Sequence, residues 1–373
     1  MKGIRKSVKD ARYSVREISE KAERMDEVTR FDIGQPSFDT PEAAKKAAKK
    51  AISRERITYT SLWGIPELRK EVADFESKKS SYSAENVMVT TGGIGALFSV
   101  FSTLCNPGEN IVFSDPCWSV YPLIVSGSSA EMRQTPFIKN GKVNHSGIRD
   151  RIGPDTKAIV INSPENPSGR VYTKKQIKEI VDIARENDIW VIGDEVYDRL
   201  TYGKEHVSVA EIAPERSLVI NSMSKNFAMT GWRIGWVISR SKELINEMGK
   251  LNRSTTACPN FPAQHAALEA LRSSKDYVEE MRKEYQERKE ILEKELDNMG
   301  LEYTEPEGAI YIFPDIGMDS WRFSTKLLKE AKVAVVPGEP SGKDSRNNIR
   351  ICFGSVGRDE IKEGMKRIES FMD

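Results

Sequence analysis

Histidine is scarce in this chain. Only His145, His206 and His265 occur among 373 residues, scattered, so a histidine-based triad or a histidine-rich metal site has little to draw on. Cysteine is nearly as rare: Cys105, Cys117, Cys258 and Cys352 form no close pair and no CxxC, which excludes a disulfide framework and a thiolate zinc site. No metal is expected. Neither sign of charge dominates, since 57 Lys and Arg stand against 56 Asp and Glu for a net +1, and this argues against nucleic acid or an anionic membrane as the main partner. No run approaches the roughly 18 apolar residues that a membrane span needs. The first thirty residues mix acidic and basic side chains without an apolar stretch, so neither a secretory signal nor a transit peptide is expected and the protein reads as soluble and cytoplasmic.

What is present is enough apolar material, 38% of residues, for a full core. From about residue 85 the chain alternates strand, turn and helix. NVMVT leads through the glycine turn TGGIG into ALFSVFSTL; IVFSDP, KAIVINSP, DIWVIGDE, SLVINSMS and RIGWVIS follow, with a helix from about Thr173 to Asn187. Short apolar runs bounded by turn residues and separated by helices indicate strands buried on both faces, hence an α/β domain with a mostly parallel sheet flanked by helices. Upstream, residues 1–30 read as a polar helical arm followed by an extended piece, and Thr40-Pro41-Glu42 as a helix start capped by Thr40. After about residue 275 a long charged helix carries Val278, Met281, Tyr285, Leu292, Leu296 and Met299 on one stripe and stops at Gly300. Shorter strands then describe a smaller α+β domain. The expected division is an N-terminal arm and segment (1–40), a large domain (41–275) and a small C-terminal domain (276–373).

Polar residues cluster just past the predicted strands, at the edge where open α/β sheets bind ligands. Gly92 and Gly93 allow a ligand to approach the backbone at a helix N-terminus, which suits a phosphate; a tight connection would read the same way. A dinucleotide fingerprint is broken, because Phe98 stands where the third glycine belongs. Lys225 follows a buried strand with Arg233 nearby, and desolvation with a like charge would lower its pKa toward a nucleophilic amine; a snorkelling surface lysine is the alternative. Asp194 ends a buried strand and needs a partner, either a protonated pyridine nitrogen or a structural arginine. Arg350 sits in an apolar strand, where its fork fits a carboxylate of a ligand or of the protein. Trp118 is either a stacking platform or ordinary core.

Taken together, these segments resemble the class I/II aminotransferases among the fold type I pyridoxal-phosphate enzymes, over about Asp32 to Gly354. SMSKNFAMTGWRIGW is similar to that family's lysine signature, NSPENPSG to its Asn-Pro loop, DEVYD to its strand end and YTSLWGIPELR to its Tyr–Gly–Pro segment. The resemblance implies a large cofactor domain with a mixed sheet, a smaller domain, and pyridoxal 5′-phosphate held by Lys225 as an internal aldimine. It implies that Lys225 shuttles the proton, that Asp194 pairs with the ring nitrogen, and that Asn166 and Tyr197 hydrogen-bond the ring oxygen. Trp118 would stack on the ring. Gly92, Gly93, Ser222 and Arg233 would hold the phosphate, with Tyr59 crossing from the second subunit of a homodimer. Arg350 would bind the substrate carboxylate beside Gly34, Trp118 and Asn166. Two departures bear on the pocket wall: Ser341 precedes Gly342 where an aromatic is common, and Cys117 stands beside Trp118.

The activity so implied is transfer of an amino group between an L-amino acid, aspartate first and aromatic or broad donors next, and a 2-oxo acid such as 2-oxoglutarate. A C–S β-lyase on the same fold shares the lysine, aspartate and arginine. A non-catalytic sensor module would need a DNA-binding extension, and a dinucleotide dehydrogenase would need the missing glycine.

Overall fold

The computed structural model describes residues 15–54, 56–77 and 80–373. The start of the polar arm lies outside these residues, and its described part forms a helix at Val15–Ala22. The large sheet contains β1 (Val87–Thr90), β2 (Asn110–Ser114), β3 (Glu131–Thr135), β4 (Thr156–Asn162), β5 (Trp190–Asp194), β6 (Ser217–Ser222) and β7 (Gly235–Ile238). Their order is β1-β7-β6-β5-β4-β2-β3. Neighbouring strands from β6 to β3 run parallel, whereas β7 runs antiparallel to both β6 and β1. The sheet is therefore mixed, with a single reversed strand.

Side-chain alternation explains why these strands read as continuous apolar runs. Val87, Val89, Val112, Ile159, Ile161, Val191, Val219, Trp236 and Ile238 enter one core, under helices that include Lys174–Glu186 and Phe261–Ser273. Met88, Ile111, Phe113, Val160, Ile192, Ile220 and Val237 enter the opposite core, beneath α1 (Gly92–Leu104). A period of two with helices on both sides leaves no solvated face.

A third core surrounds β8 (Tyr311–Ile312), β9 (Val336–Pro337) and β10 (Ile349–Cys352), an antiparallel sheet in the order β8-β10-β9. The long helix α2 (Lys275–Asn298) buries Met281, Tyr285, Leu292 and Leu296 there, while Val278 packs on the first core. The N-terminal segment joins this unit. Thr29–Arg30 pairs in parallel with Val333–Ala334, and the Cys352 amide donates to the Phe31 carbonyl at 2.9 Å. One local expectation changes: the helix after Pro41 begins at Glu42, and the Thr40 hydroxyl accepts the Trp232 indole N–H at 2.8 Å. No helix among the described residues is long and apolar enough to cross a membrane.

The reversed strand positions the site. A strand antiparallel to its neighbours begins where they end, so residues preceding β7 arrive at the carboxyl edge. Gly235 makes this approach close: a Cβ there would lie 2.7 Å from the Gly92 carbonyl carbon and 2.8 Å from both the Asn221 oxygen and the Gly93 nitrogen. All three are backbone atoms and cannot rotate away. Gly235→Ala is expected to destabilise the protein by about 1–3 kcal/mol through overpacking, read as a lower urea midpoint; an unchanged midpoint would show that β7 and the glycine turn can separate freely.

Candidate active site

The carboxyl ends of β1, β5 and β6 and the start of β7 open into a cavity of about 870 Å³, whose lining includes Gly34, Gly93, Trp118, Asn166, Asp194, Tyr197, Ser222, Lys225, Arg233 and Arg350. Ten of the twelve positions expected from the sequence thus share one cavity. Gly92 lies directly behind it, and Tyr59 stands apart, 87% exposed.

One corner is built from backbone turns. Gly92 has φ +72°, and a Cβ there would come within 2.7 Å of Arg233 Nη2, so glycine leaves room for the guanidinium. Arg233 itself is left-handed (φ 57°), and its Nη1 donates to the Thr230 carbonyl at 2.8 Å. Ser222 lies beside Gly93, its hydroxyl accepting the Ser224 amide at 3.1 Å. Free amides at the start of α1, a guanidinium and a hydroxyl make this corner suited to a phosphate.

Lys225 rises from the turn after β6. Its Nζ donates to the Gly34 carbonyl and lies 5.9 Å from the centre of the Tyr197 ring. Burial is the main cause that brings its pKa down to about 8; Arg350 and Arg233 add to the lowering, while Cys352 and Asp194 oppose it. Asp194, 3% exposed, lies at the floor. Its Oδ2 accepts the Tyr121 hydroxyl at 2.6 Å, whereas Oδ1 is buried without a hydrogen-bond partner. Burial raises this carboxyl to about 6 against the Tyr121 hydroxyl and the Val196 amide, which lower it.

Arg350 occupies the opposite wall from β10. Nη2 donates to the Asp32 carbonyl at 2.9 Å and Nη1 to Asn166 Oδ1 at 3.3 Å, while Nε is buried without a partner. Asn166 is held in turn by its amide donating to Asn162 Oδ1 at 2.8 Å. Tyr197 and Tyr311 meet hydroxyl to hydroxyl at 2.8 Å. Trp118 is half-buried, packing edge-on to Tyr121 with centroids 5.4 Å apart. The departures near it form one wall: the Cys117 amide donates to the Ser341 carbonyl at 2.8 Å, and Gln134 Nε2 lies 3.2 Å from Cys117 Sγ.

Tyr121, Asn162 and Tyr311 were not anticipated. Asn162 was visible as the polar end of an apolar strand. Tyr121 and Tyr311 sit inside apolar runs, YPLIV and AIYIF, where an aromatic reads as core; only tertiary packing turns their hydroxyls toward Asp194 and Tyr197.

A pyridine ring carrying an aldehyde and a phosphate fits this arrangement on its own terms. The orphaned Asp194 Oδ1 matches a ring N–H, the lowered amine matches the aldehyde, and the glycine corner matches the phosphate. The class so defined is the pyridoxal-phosphate enzymes of fold type I. Within it the chain belongs to a particular family, aminotransferase class I and II, whose model matches residues 26–368. It is 36% identical to an aspartate aminotransferase of Pyrococcus horikoshii, covering 97% of this chain and 95% of that protein. It is 39% identical to an aspartate/prephenate aminotransferase of Thermus thermophilus, over 90% and 88%. The crystal structure of aspartate aminotransferase from Thermus thermophilus with maleate superposes with a TM-score of 0.94 at 32% identity, over 99% of this chain and 100% of that one. The protein is a pyridoxal-phosphate-dependent transaminase.

The raised Asp194 carboxyl has a measurable consequence. With its pKa lifted from 3.8 to about 6, the folded protein binds this proton more tightly than the unfolded chain. The cost of ionising it is absent below about pH 4 and complete above about pH 6. In cofactor-free protein, Asp194→Asn should therefore raise stability at pH 8 by about 1–3 kcal/mol, with the gain shrinking toward zero as the pH falls from 6 to 4. Thermal melts across that range check it, and a pH-independent difference would contradict it.

Proposed function

We propose that this transaminase moves the amino group of an L-amino acid, aspartate first and aromatic or broader donors next, to a 2-oxo acid such as 2-oxoglutarate, with Lys225, Asp194 and Arg350 as its working groups. The observation that carries the assignment of roles is the convergence of a lowered amine, a buried carboxylate with an unused oxygen and a buried guanidinium on one cavity. The names of the relatives support the donor class.

When bound, the cofactor supplies an electron sink for the bond broken at the substrate α-carbon. The chain supplies the rest. Lys225 Nζ, near pH 8 poised between its two protonation states, would hold the cofactor's aldehyde and is the base placed to accept and return the substrate's α-proton. Asp194 Oδ1, free of a partner, would accept the ring N–H and keep that ring electron-withdrawing, while Tyr121 holds the other oxygen. Asn166 and Tyr197 would donate to the ring oxygen, and Trp118 would pack against the ring. Gly92, Gly93, Ser222 and Arg233 hold the phosphate. Arg350, beside Gly34 and Asn166, takes the α-carboxylate with its fork, giving up Asn166 and the Asp32 carbonyl for a charged acceptor.

The exposure of Tyr59 supports its reaching a phosphate in a second subunit, so the working form on this reading is a cytoplasmic homodimer. The division into an arm (1–40), a large domain (41–275) and a small domain (276–373) is carried with it, supported by a core drawn mostly from residues after Lys275, which Phe31 and also Tyr197, Leu200, Tyr202 and Ala228 enter, and by the pairing of Thr29–Arg30 with Val333–Ala334.

Two tests follow. Lys225→Ala should lower turnover by at least ~10²–10⁴-fold and abolish the cofactor adduct fixed by borohydride; an adduct surviving in that variant overturns the lysine assignment. The companion assay is a panel of amino donors with 2-oxoglutarate, in which ammonia and a 2-oxo product from cystathionine would point to a lyase instead. Arg350→Ala should raise KM for every carboxylate substrate by roughly 10–100-fold, the worth of hydrogen bonds to a charged group; a rise confined to one substrate would contradict a general carboxylate clamp.

A further inference from the structure

Tyr311 touches more of the site than any residue the motifs name. It is 1% exposed, at the start of β8, and it lines the cavity. Its hydroxyl meets that of Tyr197 at 2.8 Å. Its ring lies under the Arg350 guanidinium, whose carbon is 4.5 Å from the ring centre. Its hydroxyl also abuts Gly34, where a Cβ would lie 2.6 Å away and whose carbonyl receives Lys225. One side chain therefore contacts the group assigned to the cofactor oxygen, the group assigned to the substrate carboxylate, and the backbone that holds the lysine.

The hydroxyl pair has a definite arithmetic. Burial raises both phenols, so both keep their hydrogens at neutral pH, and only one of the two hydrogens can lie between the oxygens. Arg350 opposes that burial at both phenols, but its guanidinium lies directly over the Tyr311 ring, so the Tyr311 phenol is raised only to about 12 while that of Tyr197 is raised further, which makes Tyr311 the better donor of the pair. If Tyr311 donates, the Tyr197 hydrogen is released toward the cavity, and the bond it then makes is strengthened by the one it receives. The aromatic face meanwhile holds the guanidinium through its carbon, 4.5 Å from the ring centre, without occupying its N–H donors, as a hydrogen-bonding partner would.

We propose that Tyr311 is a positioning residue for both halves of the reaction: its hydroxyl donates to Tyr197 and so aims that phenol at the cofactor's ring oxygen, and its ring face holds Arg350 ready for the substrate carboxylate. The proposal rests on the roles assigned above to Tyr197 and Arg350. A hydrogen donated to the ring oxygen stabilises negative charge there, so the loaded site holds its titrating proton less tightly and the visible absorption band titrates at lower pH.

The two functions separate by substitution. In the cofactor-loaded protein without substrate, Tyr311→Phe should move the midpoint of the band's pH titration upward by about 0.5–1 unit, the worth of one modest hydrogen bond. It should leave the dissociation constant of succinate, a non-reacting carboxylate, within twofold. Tyr311→Leu should show the same spectral shift and weaken succinate roughly 3–30-fold, the range of a buried cation–π contact. Should the leucine variant not fold, Tyr311→Met supplies similar volume without a π face. Tyr197→Phe is the control. A shift there with none in Tyr311→Phe overturns the proposal alone; no shift in either overturns the role of Tyr197 and the proposal with it. Equal loss of succinate in the Phe and Leu variants overturns the ring-face half.

Discussion

The site is organised around a charge that the fold does not fully neutralise. Asp194 is carried into the interior by a strand buried on both faces, with one oxygen satisfied by Tyr121 and the other left over. An incompletely paired buried carboxylate costs free energy, and proteins tolerate it where a ligand makes up the difference. Lys225 is strained in the matching sense, an amine whose proton burial makes easier to lose. The two groups face one cavity, so the binding of a cationic ring with an aldehyde relieves both costs at once. The apo fold pays in stability, and the gain returns as cofactor affinity.

Arg350 depends on a different piece of architecture. It lies on β10, remote in sequence from Lys225, and reaches the cavity because the two ends of the chain are tied together. Thr29–Arg30 pairs with Val333–Ala334, and this places Asp32 and Gly34 between the guanidinium and the amine. The segment from Arg30 to Gly34 thus shapes the carboxylate subsite from both sides. Arg30 binds Asp32 through both carboxylate oxygens, at 2.8 and 2.9 Å, which leaves the Asp32 carbonyl rather than its side chain to meet Arg350.

Much of this was legible from residue patterns. The apolar runs from NVMVT to RIGWVIS announced doubly buried strands, and the polar residue ending each run up to SLVINSMS marked the edge where ligands bind; in RIGWVIS it is the start of the run that reaches that edge. Lys225, Asp194 and Arg350 stood out because a charge bordering or interrupting an apolar strand requires a partner. Other features had no local signal. The reversal of β7 is a matter of strand order, which period-two patterning does not encode, because a run buried on both faces looks the same in either direction. Tyr121 and Tyr311 carry their meaning in a hydroxyl that burial statistics count as incidental to an aromatic ring. Thr40 followed a sound capping rule and was claimed instead by Trp232, nearly two hundred residues on, a pairing that no window around Thr40 contains.

The reversed strand also fixes a spacing. Ser222 and Gly235 are paired neighbours in adjacent strands, so the chain between them is a closed excursion whose two feet stand side by side on the sheet. Lys225 and Arg233 both belong to that excursion. On the roles proposed for them, the amine and the phosphate-holding guanidinium thus lie on one excursion, and their spacing is set by a hairpin rather than by the docking of two distant segments. Deletions or insertions between them would alter the distance from anchor to nucleophile directly.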